Sequence, residues 1–215
     1  MRLTATINVS VDGVMQGLGG ADEDRRGGFD RGGWALPLVD TETNDYLNQI
    51  YGGAAAFLFG RRTYEIFAAS WGSIPEMAAS PIGAALNSRP KYVESATVTR
   101  PKWTGTTVFN GDVAAAIGRL KAEQDGDLLL PGSGALLRWL FANGLVDQLD
   151  LLIYPVVIGQ GTRLFHDTGP DIALDVVTSR TTSGGITIQS YRLLGRRPEY
   201  AGTAAPPLRR RTPPG

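Results

Sequence analysis

Cysteine is absent from this sequence, and histidine occurs only once, at His166. The absence of cysteine excludes a disulfide framework and thiolate metal sites, and a single histidine is too few for a zinc centre built from histidines. His166 follows the segment TRLF and suits a surface or hydrogen-bonding role better than a catalytic one. The sequence therefore predicts no metal site.

The sequence also lacks an excess of charge and any long apolar run. Lys+Arg and Asp+Glu each number 21, and several of the arginines lie after Leu194. The preceding chain is slightly acidic, so it has little attraction for nucleic acid. No apolar run approaches the roughly 18 residues that span a bilayer, and the opening MRLTATINVSVDG has no signal-peptide pattern. We expect a cytoplasmic protein that binds neither nucleic acid nor membrane.

What the sequence does contain is an alternation of strand and helix patterns. Strict alternation in RLTATINVSVDG predicts a strand with an apolar face that extends to Val11 and a polar face that carries Thr6 and Asn8. Further strand patterns occur at 54–60, 91–98, 127–130 and 148–159, and helical patterns at 41–53, 62–71, 112–124 and 134–144. This order predicts an α/β fold with a mostly parallel central sheet flanked by helices.

The remaining segments define the ends of this fold. Ser183-Gly184-Gly185 lies between two strand patterns and predicts a C-terminal antiparallel hairpin. Residues 16–34 are rich in glycine and charge without periodicity, which predicts either a mobile functional loop or a disordered segment. Residues 196–215 are rich in proline and arginine, so we expect a disordered tail after a single domain at 1–195.

Two glycine-containing junctions mark the places where an apolar strand passes directly into a helix. One is Pro131-Gly132-Ser133-Gly134, and the other is Gly60-Arg61-Arg62-Thr63. Glycine permits close approach, and a helix start presents unpaired N–H groups with partial positive charge. Neither junction has the spacing of a Rossmann turn or a P-loop. Each alone is consistent with a simple turn, whereas the pair favours a ligand with more than one phosphate, such as a dinucleotide.

These motifs resemble the dihydrofolate reductase-like superfamily, and within it the reductase domain of bifunctional riboflavin-biosynthesis enzymes. Ser10-Val11-Asp12-Gly13 is similar to the S-x-D-G end of the family's first strand, and Gly60-Arg61-x-Thr63 to its G-R-x-T segment. Gly132-Ser133-Gly134 resembles its G-x-G turn, and LDLLIYPVVIGQGTRLF its P-V-x-x-G-x-G-x-x-L-F signature. The resemblance extends from about Leu3 to Leu194.

The resemblance implies a three-layer dihydrofolate reductase-like fold and hydride transfer from NADPH to a small-molecule substrate. It places Asn8 and Met15 near the nicotinamide, Gly60, Arg61 and Thr63 on phosphates, and Ser95 at the adenosine end. The full set of cofactor-binding residues that it implies is Asn8, Met15, Gly60, Arg61, Thr63, Ser95, Gly132, Ser133, Gly134, Ala135 and Leu136. The substrate-binding residues that it implies are Thr6, Ser10, Trp34 and Tyr154.

Two carboxylates are candidate catalytic residues. Asp12 ends the first strand, where it either takes part in catalysis or braces the turn at Gly13. Asp40 follows Trp34-Ala35-Leu36-Pro37, and folate reductases place a substrate-binding acid after a similar Trp-x-x-Pro. Here the acid sits one residue later, so Asp40 is equally consistent with the N-cap of the helix that starts at Thr41.

Departures from the riboflavin-pathway pattern leave the substrate open. Those reductases tend to carry a lysine on the first strand and a D-D-P segment after the second, where this chain has Thr6 and EIFAASWG. We therefore expect an NADPH-dependent reductase of a small heterocyclic or carbonyl substrate. The alternative is a non-catalytic nucleotide- or small-molecule-binding module on the same scaffold. The apolar strand at 148–159 predicts a homodimer or a fully buried core strand.

Overall fold

The computed structural model describes residues 1–201, and its centre is one mixed sheet. The strand order is β4-β3-β2-β5-β1-β6-β8-β7. The strands are β1 (Arg2–Ser10), β2 (Ala54–Gly60), β3 (Lys91–Glu94), β4 (Thr106–Phe109), β5 (Asp127–Pro131), β6 (Gln148–Tyr154), β7 (Leu174–Thr181) and β8 (Thr187–Leu193). The first six strands in this order, from β4 at the edge to β6, are all parallel to their neighbours. β8 pairs antiparallel with both β6 and β7. The predicted C-terminal hairpin is thereby confirmed.

Helices cover both faces of the sheet, so the fold has three layers. The helices are α1 (Thr41–Gly53), α2 (Arg61–Ser70), α3 (Pro75–Ala79), α4 (Pro81–Ser88), α5 (Val113–Glu123) and α6 (Gly134–Ala142). Buried residues of α5 and α6 pack on one face together with Leu3, Ala5 and Ile7 of β1. Buried residues of α1, α2 and α4 pack on the other face around Phe57 and Phe59. The predicted α/β architecture is confirmed.

β1 occupies the middle of the sheet, between β5 and β6. Both of its faces are buried, including the polar one, where Thr4 and Thr6 are each only 2% exposed. The strand ends at Ser10, whose hydroxyl accepts the N–H of Val14 at 2.9 Å. Val11 lies beyond this end and is 62% exposed, so its predicted place on the apolar face was wrong.

Two other strands end earlier than their apolar patterns predict. β3 stops at Glu94 because the hydroxyl of Ser95 accepts the N–H groups of Thr97 and Val98, at 3.1 and 3.0 Å, and turns the chain. β6 stops at Tyr154, since the following proline has no N–H to continue the ladder.

The apolar pattern of β6 reflects burial within a single chain. β6 lies between β1 and β8, and most of its residues are buried. This matches the buried-core alternative that the sequence left open, and the homodimer stays a prediction.

Three short elements were missed. β4 has four residues and lies at an edge of the sheet, where partial burial leaves no clear alternation. α3 and α4 each begin at a proline, at Pro75 and Pro81, and are too short to show a helical period. Of the predicted tail, residues 202–215 lie outside the described residues. Within residues 1–201, no helix is long and apolar enough to cross a membrane.

Candidate functional site

Two strand-to-helix junctions lie side by side at the carboxyl edge of the sheet. β2 and β5 are adjacent parallel strands, and α2 and α6 begin directly after them. The two helices pack on opposite faces of the sheet. The N-cap of α2 is Gly60, which has no side chain, and the N-cap of α6 is Ser133, whose side chain accepts no N–H of its own helix. The first-turn N–H groups of both helices are therefore donors for a ligand, and the helix dipoles favour an anion.

Two reciprocal hydrogen bonds join the junctions. The N–H of Gly60 donates to Ser133 Oγ at 3.0 Å, and the N–H of Ser133 donates to Thr63 Oγ1 at 3.1 Å. Each hydroxyl accepts in this pair, so its own hydrogen can still donate to a ligand. The structure thus brings Gly60, Thr63 and Ser133 together into one site.

The turn between β5 and α6 has an unusual backbone. Gly132 has φ 59° and Ser133 has φ 54°, both in the left-handed region. Among residues 1–201, Ser133 is the only non-glycine residue with positive φ. Such strain costs free energy and tends to be kept where function requires a shape. Gly134 follows, and a Cβ added there would overlap the sulfur of Met15, which lies over this turn.

Asn8, Tyr154 and Trp34 form a connected group beside this turn. The hydroxyl of Tyr154 donates to Asn8 Oδ1 at 3.2 Å. The rings of Trp34 and Tyr154 meet edge to face, with their centroids 5.5 Å apart. Burial, assisted by the negative charge of Asp40, raises the pKa of Tyr154 to about 12. Its hydroxyl therefore stays protonated and keeps the oxygen of Asn8 occupied.

Thr6 and Ser10, like Tyr154, are predicted substrate-binding residues that are buried and have partners within the protein. Thr6 lies 2% exposed, with Oγ1 at 3.5 Å from Asp150 Oδ2. Ser10 lies 1% exposed and donates to Asp12 Oδ1 at 2.7 Å. Both lie on β1 in the middle of the sheet, and Ser10 is the register partner of Tyr154 on β6. Their contact with substrate stays a prediction.

Asp12 connects the end of β1 to the segment after β6. Its carboxylate accepts the N–H groups of Ile158 and Gly159, at 2.9 and 2.8 Å, and forms an ion pair with Arg163 at 3.3 Å. Burial alone would raise the pKa of Asp12, but the backbone donors and the Ser10 hydroxyl lower it well below its usual range. These contacts favour the bracing role, and a catalytic role for Asp12 stays a prediction.

Asp40 caps α1, as one of the two interpretations of the sequence predicts. Its carboxylate accepts the N–H of Thr43 at 2.7 Å. It also accepts the N–H of Gly184 at 2.8 Å, which ties α1 to the turn of the β7–β8 hairpin. Hydrogen bonds from Thr182, Thr43 and Gly184 lower the pKa of Asp40 below its usual range. A catalytic role for this residue stays a prediction.

The outer end of the site contains Arg61 and Ser95. Arg61 is exposed, and its guanidinium contacts both oxygens of Glu65 at 3.0 Å. Ser95 is 5% exposed, and its hydroxyl shapes the turn after β3. A groove of about 500 Å³ adjoins this turn, between α2 and residues 97–102, and Glu65 lines it. The phosphate and adenosine contacts of Arg61 and Ser95 stay predictions.

The first turn of α6 contributes the last two predicted cofactor residues in different ways. Ala135 is exposed and leaves the helix start accessible. Leu136 is 6% exposed and belongs to the core, where it anchors the turn. Only the backbone of Leu136 is therefore available to a ligand.

Two residues near the site were missed. Gln16 is 5% exposed and hydrogen bonded through its whole amide, although it lies in the glycine-rich segment 16–34. Arg138 Nη1 donates to the carbonyls of Arg163 and Leu164 at 3.3 Å, and a Cβ on Gly134 would lie 3.4 Å from this atom. Arg138 lies one helical turn after Gly134, a spacing that could have identified it.

Three known proteins are similar to this chain. Over 200 residues the chain is 28% identical to the uncharacterized protein YyaP of Bacillus subtilis (strain 168), covering 90% of this chain and 96% of that one. A putative riboflavin biosynthesis protein from Shewanella sp. PV-4 has a similar structure, with a TM-score of 0.66, 20% identity and coverage of 90% and 99%. A pyrimidine reductase-like protein from Corynebacterium diphtheriae NCTC gives a TM-score of 0.60 at 15% identity, with coverage of 90% and 92%.

The structural likenesses confirm the predicted dihydrofolate reductase-like fold. The family model of the RibD C-terminal domain matches residues 2–188, which is most of the described chain. The reciprocal junctions, the glycine turn and Asn8 all lie within this match. The chain therefore belongs to the RibD C-terminal domain family.

Proposed function

We propose that the protein is an NADPH-dependent reductase that transfers hydride to a small heterocyclic or carbonyl substrate. The observation that carries this proposal is the reciprocal pairing of the two junctions through Ser133, Gly60 and Thr63. This pairing brings two open helix N-termini to one place, and a diphosphate has two adjacent anionic groups to bind there. Membership of a reductase-type family supports the same reading.

The residues present fit a nicotinamide dinucleotide. The left-handed backbone at Gly132 and Ser133 leads directly into the first turn of α6, and Gly134 has no side chain above the start of this helix. Arg61 adds a cation at the start of α2. The residues that would hold NADPH are Asn8, Met15, Gly60, Arg61, Thr63, Ser95, Gly132, Ser133, Gly134, Ala135 and Leu136. When bound, the cofactor supplies the hydride.

The chain's own residues orient the substrate and limit water. Tyr154 fixes the Asn8 amide through its oxygen, so Nδ2 of Asn8 is the group that can donate to a ligand. Trp34 covers this pair with an apolar ring whose Nε1 donates to the carbonyl of Gln16 at 2.8 Å. The arrangement suits a planar acceptor held between Asn8 and an aromatic wall.

The first test is titration of the purified protein with NADPH and, separately, NADH, followed by quenching of tryptophan fluorescence. We expect micromolar binding of NADPH and at least about tenfold weaker binding of NADH, because Arg61 favours an additional phosphate. Flavin precursors, pterins and small carbonyls are then screened for oxidation of the bound cofactor at 340 nm as a readout. Failure to bind either nucleotide would contradict the proposal, and binding without turnover of any acceptor class would favour the non-catalytic module.

A further inference from the structure

We infer that Gln16 is a positioning residue. It fixes the cofactor side of the site, at the turn beside Gly134, relative to the substrate side, at the ring of Trp34. The inference rests on the proposed function for the meaning of those two sides, but not for the contacts. Gln16 lies where β1 leads into the glycine-rich loop, defined here as residues 16–34. Its neighbour Met15 lies over the cofactor turn at Gly134, and its own carbonyl accepts the Trp34 indole N–H.

The amide of Gln16 uses all of its ordinary hydrogen-bonding capacity. Nε2 donates to the carbonyls of Asp24 and Arg26 at 3.1 and 3.0 Å. Oε1 accepts the N–H and the hydroxyl of Thr162, both at 2.9 Å. One buried side chain therefore joins the middle of the loop to the segment that follows β6.

The ends of the glycine-rich loop meet beside Gln16. The N–H of Gly33 donates to the carbonyl of Gly17 at 2.7 Å, which closes the loop at its base. Phe29 fills the interior at 2% exposure and packs on Val14 and Ile158. A closed loop with its own packed side chain behaves as one unit. Movement at residue 16 is therefore transmitted to Trp34, since the loop base links the two.

Met15, directly before this loop, and Trp34, at its end, contact different halves of the site. Met15 borders Gly134, at the start of α6. Trp34 borders Tyr154, which in turn holds Asn8. Gln16 is adjacent to Met15 in sequence and bonded to Trp34 through its carbonyl. The residue thus fixes the distance between the cofactor turn and the aromatic wall without contacting either ligand.

Gln16→Glu tests this role because it is nearly isosteric and removes only the donor side. The carboxylate would face the carbonyls of Asp24 and Arg26, which have no proton to give, while the contacts from Thr162 remain possible. Gln160→Glu is the matched control, since Gln160 Nε2 donates to the carbonyl of Gly28 in the same loop at 3.1 Å. Gln160 forms no hydrogen bond with Met15 or Trp34.

Fluorine NMR of 5-fluorotryptophan-labelled protein reads the position of Trp34 directly. The chain has four tryptophans, and Trp34→Phe assigns the signal. In Gln16→Glu we expect the Trp34 resonance to shift or broaden while the other three stay in place, and in Gln160→Glu we expect all four to stay. Tryptic cleavage after Arg25 and Arg26 should accelerate about tenfold in Gln16→Glu, since two hydrogen bonds that hold the segment are lost.

Cofactor binding supplies the readout that a merely structural role would leave unchanged. With a melting temperature close to that of the wild type, Gln16→Glu should bind NADPH about tenfold more weakly, whereas Gln160→Glu should bind it normally. An unchanged Trp34 resonance in folded Gln16→Glu would overturn the inference. So would equal cleavage rates in the two Glu variants.

Two further outcomes are distinguished by design. If wild-type protein binds no NADPH, the proposed function fails, and the Trp34 resonance and the cleavage rates still decide the role of Gln16. If Gln16→Glu does not fold, Thr162→Val replaces it, because this variant removes one hydroxyl contact to Oε1 and keeps the backbone contact. Thr162→Val should displace the Trp34 resonance in the same direction by a smaller amount, and no displacement in this folded variant would overturn the inference.

Discussion

The two junctions that meet at the candidate site are built in opposite ways. After β5, the shape is set by the backbone, because Ser133 is held at a φ of 54°, and a Cβ on Gly134 would force the Met15 side chain to move. After β2, Gly60 has an ordinary extended φ of −76°. A Cβ on Gly60 would meet its nearest neighbour at 3.5 Å, which is normal contact.

This difference shows which junction depends on glycine and which depends on its side chains. The turn at Gly132–Gly134 requires a positive φ at Gly132 and Ser133, and a side chain on Gly134 would displace Met15, so its sequence is restricted by geometry. The junction at Gly60 contributes Thr63 and Arg61, so its sequence is restricted by chemistry. One anion site can therefore combine a rigid half made of backbone N–H groups with an adjustable half made of side chains.

The largest expected effect is from Gly134→Val, which breaks the rigid half. The new side chain would overlap Met15 and fill the approach to the start of α6, so NADPH affinity should fall by about 100-fold or more. Fluorescence titration measures the loss, and circular dichroism checks the fold. Adding Met15→Ala should restore part of the affinity, because it removes the overlapping sulfur.

Gly60→Ala is the matched variant in the other half. Its methyl group has space beside Leu136 and Ser133, so affinity and melting temperature should stay close to those of the wild type. A large loss of affinity in Gly60→Ala would mean that the two junctions restrict their glycines equally. The comparison between them would then be wrong.

A smaller effect is expected from Thr63→Val, which breaks one of the two bonds that join the halves. Ser133 would lose the acceptor for its backbone N–H, and we expect about tenfold weaker NADPH binding. Thr63→Ser keeps the hydroxyl and serves as control. Because Ser133→Gly removes the reciprocal acceptor, a double-mutant cycle with Thr63→Val should show coupling, and strictly additive losses would contradict the pairing.

Variants of Arg61 and its partner Glu65 test how much the side chains of the junction after β2 contribute to NADPH binding. Its pairing with Glu65 is exposed, so removing Glu65 should free the guanidinium at little cost in stability. We expect Arg61→Ala to weaken NADPH binding by about tenfold, and Glu65→Gln to tighten it by about twofold to threefold. Titration at low and high salt is the measurement. Equal effects on NADPH and NADH would show that Arg61 does not read the additional phosphate.

Asp12 lies outside both junctions and supplies the smallest expected effect on binding. Asp12→Asn should leave NADPH affinity unchanged but lower the free energy of unfolding at pH 7 by about 1–3 kcal/mol, since the contacts to Ile158, Gly159 and Arg163 lose their charge. The pKa of Asp12 is lowered from 3.8, so its stabilisation is complete above that pH and is lost as pH falls below it. The difference between variant and wild type should therefore shrink below about pH 4.

Urea unfolding at several pH values measures this difference. A difference that stays constant down to pH 2.5 would contradict the bracing role of Asp12. Loss of turnover with unchanged NADPH affinity would instead support the catalytic role that the sequence also predicts.

Much of the fold could be predicted because local pattern and final burial agree. The buried runs of β2 and β5 and the helical spacing of α1, α5 and α6 identified these elements nearly to their ends. The pattern failed where one side chain overrides it. Ser95 turns the chain by accepting two N–H groups, and Pro155 interrupts the ladder of β6, so each strand ended early.

The two junctions of the site could be predicted from the sequence, but the hydrogen bonds that join them could not. Glycine after a strand indicated each junction, yet the bonds between Gly60, Thr63 and Ser133 join residues about 70 positions apart. The role of Gln16 could not be predicted from the sequence for a related reason. It lies among glycines and charged residues that show no periodicity, and only the folded loop reveals that its amide makes four hydrogen bonds to three residues.

The position of β1 has a consequence for the order in which the protein forms. Its neighbours are β5, where Leu3 pairs with Leu128, and β6, where Asn8 pairs with Leu152. The central strand thus leaves the ribosome well before either of its partners and cannot pair until β5 or β6 has been synthesised. Contacts this distant in sequence slow folding and leave an unpaired strand exposed meanwhile. We expect ribosome-bound chains that end before Asp127 to depend on chaperones to keep β1 from aggregating.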